Sequence, residues 1–403
     1  MSDQSKLRIA FEIFGGSGWT GGINYLSNLL AAIAELPGRP ITPVLFTGGD
    51  ADAGVVARLA PYLSESPVQS VAWSDKGSVK RWRMVGALAF RRDFVAARAF
   101  KDRRIDLVFA HATWYGSRFP FPTLVWIGDF QHRVLPHMFS AVSYWKREVG
   151  FRRLVRYGTT VMASSMSGCD ECEHFYPLAK GKLAALPFVV RIPDEAMAAS
   201  PQEVRNRYGL PERFFFMPNQ FWQHKNHIGV IEALRLLRHN GLEVVVAVSG
   251  NASDPRRPGH FAGLRDRVRQ LGLESNFRLL GMIPYLDLFS LMRASMGLVN
   301  PSFYEGWSTT VEEAKSVGVP LLLSNIPVHR EQAGVDSIYF DPADPTSIAE
   351  VLHRAWVQGR PGPHIHLEAK AETEFARRRR DFAANFLKIS KETVKKFGAH
   401  SVG

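Results

Sequence analysis

Cysteine is nearly absent from this chain of 403 residues: Cys169 and Cys172 are the two, spaced Cys-x-x-Cys with His174 close by. A redox pair or half a zinc site is conceivable, but no second ligand pair exists to complete a zinc site. We read them as incidental thiols of a short helix in a reducing compartment. Long apolar runs are missing too: none reaches the ~18–20 residues of a membrane-spanning helix. The first six residues are polar and lead straight into a strand, so no secretory leader is expected and the expected location is the cytoplasm. Zinc-finger spacing, an RNP-type aromatic strand and a basic zipper are all lacking. The net charge of +12 therefore has no nucleic-acid recognition element to serve, and an anionic membrane surface remains as its polyanionic partner.

Apolar residues are plentiful. Hydrophobic content is 46% and aromatic content 11%, ample for two packed cores. Short apolar strands are expected at 8–14, 40–48, 70–73, 106–111, 123–129, 160–164 and 183–190, then at 214–218, 243–249, 277–281, 296–300, 320–324 and 337–340. Helical stretches separate most of them, which makes each series a parallel, doubly wound α/β sheet. Periodicity lapses around Arg191 to Pro201, the expected linker. The clearest unit is 296–334. There a strand opens into Pro301-Ser302-Phe303-Tyr304-Glu305-Gly306-Trp307, a helix runs from about Ser308 to Val317, and a second strand follows Gly318. Its crossover leaves Glu305 to Ser308 where an open parallel sheet binds ligands. Ser308 and Thr309 suit an N-cap, so their backbone N–H groups and the helix dipole favour an anion.

Glu305-Gly306-Trp307 through Glu313-Ala314, with Gly318-Val319-Pro320 beyond, resembles the E-x7-E signature of glycosyltransferase family 4. Trp307, Ser308 and Glu312 depart from the usual Phe, Gly and Leu. The resemblance implies a GT-B fold, two Rossmann-like doubly wound domains facing a cleft, and retaining hexose transfer from a nucleotide-diphosphate sugar. The boundaries expected are 1–192 for the acceptor side, with a C-terminal helix of about 372–403 packing back on it, and 193–371 for the donor side. By resemblance Glu305 contacts the donor hexose and Glu313 the ribose hydroxyls, with Gly306, Trp307, Ser308 and Thr309 beside the anion.

The run Asn219-Gln220-Phe221-Trp222-Gln223-His224-Lys225-Asn226-His227 resembles the diphosphate loop. Lys225 matches the family's Lys, and Gln220 or Asn219 falls where an Arg is usual. A neutral amide lacks the bidentate charge pairing of Arg, and the loop resembles a variant of bacterial polysaccharide transferases. Met282, after Gly281, resembles the stretch whose backbone reads the base. Asp129 matches the Asp of a His-Asp pair at a strand end. Gly128 holds the His position, so His132, three residues on, is the substitute read here, with His111 competing. No metal and no cofactor are expected, because Lys225 and two helix N-termini neutralise the diphosphate.

Near the N-terminus Gly16, Gly18 and Gly21 spell G-x-G-x-x-G, which by itself suggests an NAD-binding enzyme. The acid expected at the end of a second strand is missing, and Gly21-Gly22 instead resembles the paired glycines of the family's first loop. The other rival is a nonenzymatic carbohydrate or membrane adaptor with a decayed site, prompted by the missing Arg. Residues 76–104 read as one basic helical stretch: Lys80, Arg81, Arg83, Arg91, Arg92, Arg98, Lys101, Arg103 and Arg104 interleave with Trp82, Met84, Leu88, Phe90, Phe94 and Phe100. A peripheral contact with the inner face of the cytoplasmic membrane and a core-packed helix are both open. The acceptor expected is a lipid-linked or polysaccharide sugar in cell-envelope glycan synthesis, with GDP-mannose or a UDP-sugar as donor.

Overall fold

The computed structural model describes residues 6–13, 20–73, 78–111, 113–254 and 256–401, and only the backbone of 20, 78–81, 400 and 401. The chain forms two compact units. Unit 1 comprises 1–133, 141–189 and 377–403, and unit 2 comprises 134–140 and 190–376. The short segment 134–140 thus groups with unit 2, outside the boundaries read from the sequence.

Unit 1 holds strands β1 (Leu7–Glu12), β2 (Ile41–Thr47), β3 (Val68–Gln69), β4 (Leu107–His111), β5 (Thr123–Ile127), β6 (Thr160–Ala163) and β7 (Leu183–Ala185). All pair in parallel, in the order β3-β2-β1-β4-β5-β6-β7. Ala10, Val44, Phe46, Val108, Val125 and Val161 form the core on one face, which is why these strands read as apolar runs.

Unit 2 holds β8 (Phe215–Met217), β9 (Val246–Ser249), β10 (Phe277–Gly281), β11 (Leu298–Asn300), β12 (Leu321–Ser324) and β13 (Ile338–Phe340), also all parallel, ordered β10-β9-β8-β11-β12-β13. Phe215, Met217, Val246 and Val248 face one core while Phe216, Ala247, Leu298 and Leu323 face the other, so alternate residues bury both sides. In this order the chain reverses direction across the sheet between β8 and β11. That switch point opens a crevice at the strands' carboxyl ends.

Four local expectations change. The strand expected at 70–73 is a 3₁₀ turn, Val71–Trp73, closed by Trp73 N–H on Ser70 O at 3.0 Å. The strand expected to 190 ends at Ala185 because Pro187 has no N–H for the ladder. The stretch 76–104 is two helices, Ser78–Ala89 and Phe94–Asp102. Arg91 between them takes φ 60°, and Asp93 caps the second helix by accepting from Ala96 N–H at 3.0 Å. Arg83 of the first helix is buried, bonding Asp93 at 2.8 Å, so it belongs to no surface charge stripe. Trp82, Phe90 and Phe94, in contrast, are 71%, 67% and 54% exposed. The C-terminal helix is longer than read, Ile365–Ser401. Cys169 and Cys172 are buried in the helix Met166–Phe175 and form no disulfide. Among the described residues no helix is long and apolar enough to cross a membrane.

Candidate functional site

The loops leaving β8 and β11 meet at the switch point of unit 2. After β8 the chain turns through a short 3₁₀ segment, Gln223–Lys225, into Asn226 at φ 54°. Asn226 caps the helix His227–His239: its Oδ1 accepts from Gly229 N–H at 3.2 Å, and its Nδ2 donates to Pro301 O at 3.2 Å. Phe303 N–H donates to His224 O at 2.8 Å. The two loops are therefore laced together by backbone and amide contacts.

This lacing brings Lys225 and Glu305 into one ion pair, Nζ to Oε1 2.5 Å, with side chains 12% and 9% exposed. Burial pushes the Glu305 carboxyl up, but Lys225 and, to a lesser extent, His224 and His329 together outweigh it and hold its pKa at about 2. Ser302 Oγ lies 2.7 Å from both Glu305 Oε1 and Asn300 Oδ1, so its single proton serves one of them at a time. An ammonium has three N–H donors, and the bond to Glu305 is the one hydrogen bond that engages the Lys225 side chain among the described residues. The two others are available to an incoming anion. His224 and His329 flank the pair, and burial lowers their pKa values to about 3 and about 4, so both are neutral at pH 7. Ser324 Oγ holds His329 Nδ1 at 3.0 Å, while Nε2 is buried without a hydrogen-bond partner.

Ser308 caps the helix Thr309–Val317, its Oγ accepting from Val311 N–H at 3.4 Å, and Gly318 ends the helix at φ 69°. A Cβ at Gly318 would stand 2.3 Å from Leu367 O, which excludes any other residue there. The N–H of Ser308 is already bonded to Gln332 Oε1 at 3.1 Å. Ser308 thus shapes the helix start without offering its own N–H to an anion, and Thr309 opens the helical turn behind it. Gly306 and Trp307 are half-buried beside Glu305.

Glu313 lies farther along the helix, buried, and accepts from Tyr285 OH at 3.2 Å. Burial raises its pKa to about 8 against the lowering by that bond, so it is mostly protonated at pH 7. The two acids of the spacing motif thus carry different charge: Glu305 is ionised and Glu313 neutral. Met282 follows β10 and is exposed, three residues before Tyr285.

Gln220 Oε1 accepts from Asn251 N–H at 2.7 Å, so the amide at the expected Arg position ties down the neighbouring loop. Two arginines from that neighbouring loop were not legible as site residues. Arg256 pairs with Asp254 at 3.0 Å and stacks on Trp222 at 5.2 Å, and Arg257 donates to Gln223 Oε1 at 3.0 Å. They lie in an aperiodic stretch, and nothing local says which loop they reach. Asn300 and His329 were also missed. Asp52 of Asp50-Ala51-Asp52 caps the following helix, its Oδ1 accepting from Gly54 and Val55 N–H at 2.8 and 3.2 Å.

The residues read from unit 1 sit differently. Asp129, at the carboxyl end of β5, is half-buried and pairs with Arg147 at 3.5 Å. His132 is fully buried, with Nε2 3.3 Å from Glu148 Oε2 and 3.2 Å from Tyr176 OH. His132 therefore lies in an interior hydrogen-bond network rather than at the open strand end expected of it. His111 bonds Trp126 O at 3.3 Å, and burial lowers its pKa to about 4. Gly21 and Gly22 lie in the first turn of the helix Thr20–Ala34, not in a loop. Gly16 and Gly18 fall outside the described residues.

Residues 202–359 match the family described as Glycosyl transferases group 1. An O-antigen chain mannosyltransferase B of Escherichia coli is 40% identical over 76 residues, 19% of this chain and 20% of that protein. A putative glycosyltransferase EpsF of Bacillus subtilis is 27% identical over 156 residues, 38% of each chain. The chain thus spans well under half the length of the curated relatives it matches. Among solved structures, a glycosyltransferase from Rickettsia africae has TM-score 0.64 at 15% identity, covering 98% of this chain and 100% of that one. Anabaena Alr3699/HepE in complex with UDP and glucose has TM-score 0.63 at 17% identity, with coverage of 98% and 100%. WaaG, described as a glycosyltransferase involved in lipopolysaccharide biosynthesis, has TM-score 0.56 at 16% identity, with coverage of 94% and 95%. At these identities the likeness shows the fold, and the architecture is GT-B.

Proposed function

We propose, starting from a chain whose second unit matches the group 1 glycosyl transferases, that this protein moves a hexose from a nucleotide-diphosphate sugar to a glycan or lipid-linked acceptor. The observation that carries the reading is the Lys225–Glu305 pair at the switch point of unit 2, inside the matched residues. In this reading the two open N–H donors of Lys225 take the diphosphate, helped by the dipole of the helix Thr309–Val317. Glu305, ionised, faces the sugar as positive charge develops at its anomeric carbon. Glu313 takes the ribose hydroxyls, and Gly306, Trp307 and Met282 bound the sugar and base.

The anomeric carbon–phosphate bond breaks as the bond to the acceptor oxygen forms on the same face. The acceptor proton passes to the departing diphosphate oxygen, so the configuration is retained. The protein's part is positioning and electrostatic stabilisation, with neither a nucleophile nor a resident cofactor or metal. The exposed Trp82, Phe90 and Phe94 among arginines bring the protein to an anionic membrane surface, where a lipid-linked acceptor resides.

The test is a thermal-shift screen with GDP, UDP, dTDP and ADP sugars and with NAD, followed by turnover with a lipid-linked glycan. A donor at 100 times its Kd adds ~2.7 kcal/mol of stability. Stabilisation by NAD alone, or donor binding without transfer to any glycan acceptor, would overturn the proposal.

A further inference from the structure

Unit 1 contains a cavity of about 310 Å³ that the proposed transfer does not use. It is framed by the loop after β4, the start of β5 at Thr123, Gly158-Thr159 before β6, Lys182 before β7, and Lys396 near the C-terminus. These mark the amino ends of β5 to β7, the end of the sheet opposite Asp129. Its size is that of a small-ligand site.

The lining has one sign of charge. Arg156, Lys182 and Lys396 contribute to it, and none of the described lining residues is acidic. Nor does a carboxylate pair with any of the three among the described residues. Lys182 Nζ donates to Arg156 O at 3.0 Å and Lys396 Nζ to Gly181 O at 3.4 Å, which holds both cations in place through one of their three donors. The rest of the wall is aromatic. Trp114 lies 5.9 Å from Tyr157 at 39°, and Arg153 stacks on the indole at 5.2 Å. Trp114 Nε1 is buried and has no hydrogen-bond partner, an indole donor without an acceptor. A Cβ at Gly158 would come within 2.6 Å of Leu154 O and 2.8 Å of a Val125 methyl, so only glycine allows this backbone to run so close to the wall.

A buried unmet donor calls for an acceptor, unpaired cations call for an anion, and a tryptophan face calls for a flat or apolar ring face. We propose that this cavity is a second ligand site, which binds a saccharide ring bearing one anionic group, phosphate or carboxylate. The ring stacks on Trp114 and Tyr157, an oxygen accepts from the indole N–H, and the anion sits among Arg156, Lys182 and Lys396. The choice of a saccharide among anionic rings rests on the glycosyl transfer proposed above. The site gives such an enzyme a hold on an acidic glycan through residues distinct from those of its donor crevice.

Calorimetry on the full chain, with and without saturating amounts of the nucleoside diphosphate that the thermal-shift screen selects, tests this using glucose 6-phosphate, glucuronate, glucose and inorganic phosphate as probes. The two acidic sugars should bind, with glucose and phosphate each roughly tenfold weaker or more, because each lacks one half of the recognition. The double variant K182Q/K396Q should lose roughly tenfold or more, and W114F, which keeps a ring but loses the N–H, should lose several-fold. Should the double variant fold poorly, K396Q alone serves, since Lys396 is exposed. Phosphate binding as tightly as the sugar phosphate, displacement by the selected nucleoside diphosphate, indifference to K182Q/K396Q, or no binding of either acidic sugar would each overturn the proposal. K225A distinguishes the two readings: it should leave acidic-sugar binding intact. If it also left donor binding intact, the transferase reading alone would fail.

Discussion

Replacing Glu313 by Gln should stabilise the ligand-free protein, and the gain should grow with pH. The carboxyl is buried, and burial raises its pKa from 4.5 to about 8 while the Tyr285 hydroxyl at 3.2 Å opposes the shift. A raised folded-state pKa means that the folded protein holds the proton more tightly than the unfolded chain does. As pH rises past 4.5 the unfolded chain releases its proton first, so stability falls until pH reaches about 8 and then stays low. Each unit of separation is worth ~1.4 kcal/mol, so the cost is ~3 kcal/mol at pH 7 and approaches ~5 kcal/mol above pH 8. Gln fills the same space and cannot ionise, so the cost vanishes. Scanning calorimetry at pH 5, 7 and 8.5 should show melting temperatures that nearly coincide at pH 5 and separate at ~2–4 °C per kcal/mol above it. A difference that is constant with pH, or a variant that loses stability as pH rises, would refute the burial argument. The same group tests the ribose assignment. Hydroxyls donating to Glu313 favour its ionised form, so nucleoside-diphosphate binding at pH 7 should release about one proton. Calorimetry in two buffers of different ionisation enthalpy reads that release. Equal release by wild type and E313Q would remove Glu313 from the ribose.

Four further outcomes follow from the geometry. Lys225→Ala should weaken nucleoside-diphosphate binding roughly tenfold to a hundredfold, since a charge-assisted bond is worth ~1.5–3 kcal/mol; unchanged affinity in calorimetry would take Lys225 out of the site. Glu305→Gln should mainly lower kcat, because the carboxylate meets charge that develops only in the transition state; a normal kcat, or a product of inverted anomeric configuration by proton NMR, would falsify the assignment. Binding to anionic liposomes should exceed binding to neutral ones, weaken with salt and fall in W82A/F90A; equal partition onto both sinks the membrane contact. His132→Ala should cost ~1–3 kcal/mol of stability through the network with Glu148 and Tyr176 while leaving kcat of the folded enzyme near normal; a hundredfold loss of kcat at unchanged melting would restore it to catalysis.

Local chemistry made much of this protein legible in its sequence. Alternating apolar strands and helices specify parallel α/β units, because both sheet faces must be covered. Ser308 before Thr309 and Gly318 after Val317 mark a helix at both ends, since cap and left-handed terminus are properties of single residues. The spacing of Glu305 and Glu313 likewise follows from one loop and one helix. What the sequence did not contain are the facts that depend on residues distant in the chain. Lys225 and Glu305 are 80 positions apart, and they meet because β8 and β11 are neighbours in the sheet. Strand order is a choice among hydrogen-bonding partners that no local pattern records. Burial is decided the same way. It makes Glu313 a neutral acid while Lys225 keeps Glu305 charged, and it draws His132 inward to Glu148 and Tyr176. It also splits 76–104 at Asp93, whose N–H is taken by Tyr115 O at 2.8 Å. Each of these turns on what surrounds a side chain or a backbone group in three dimensions, and only the tertiary structure supplies those surroundings.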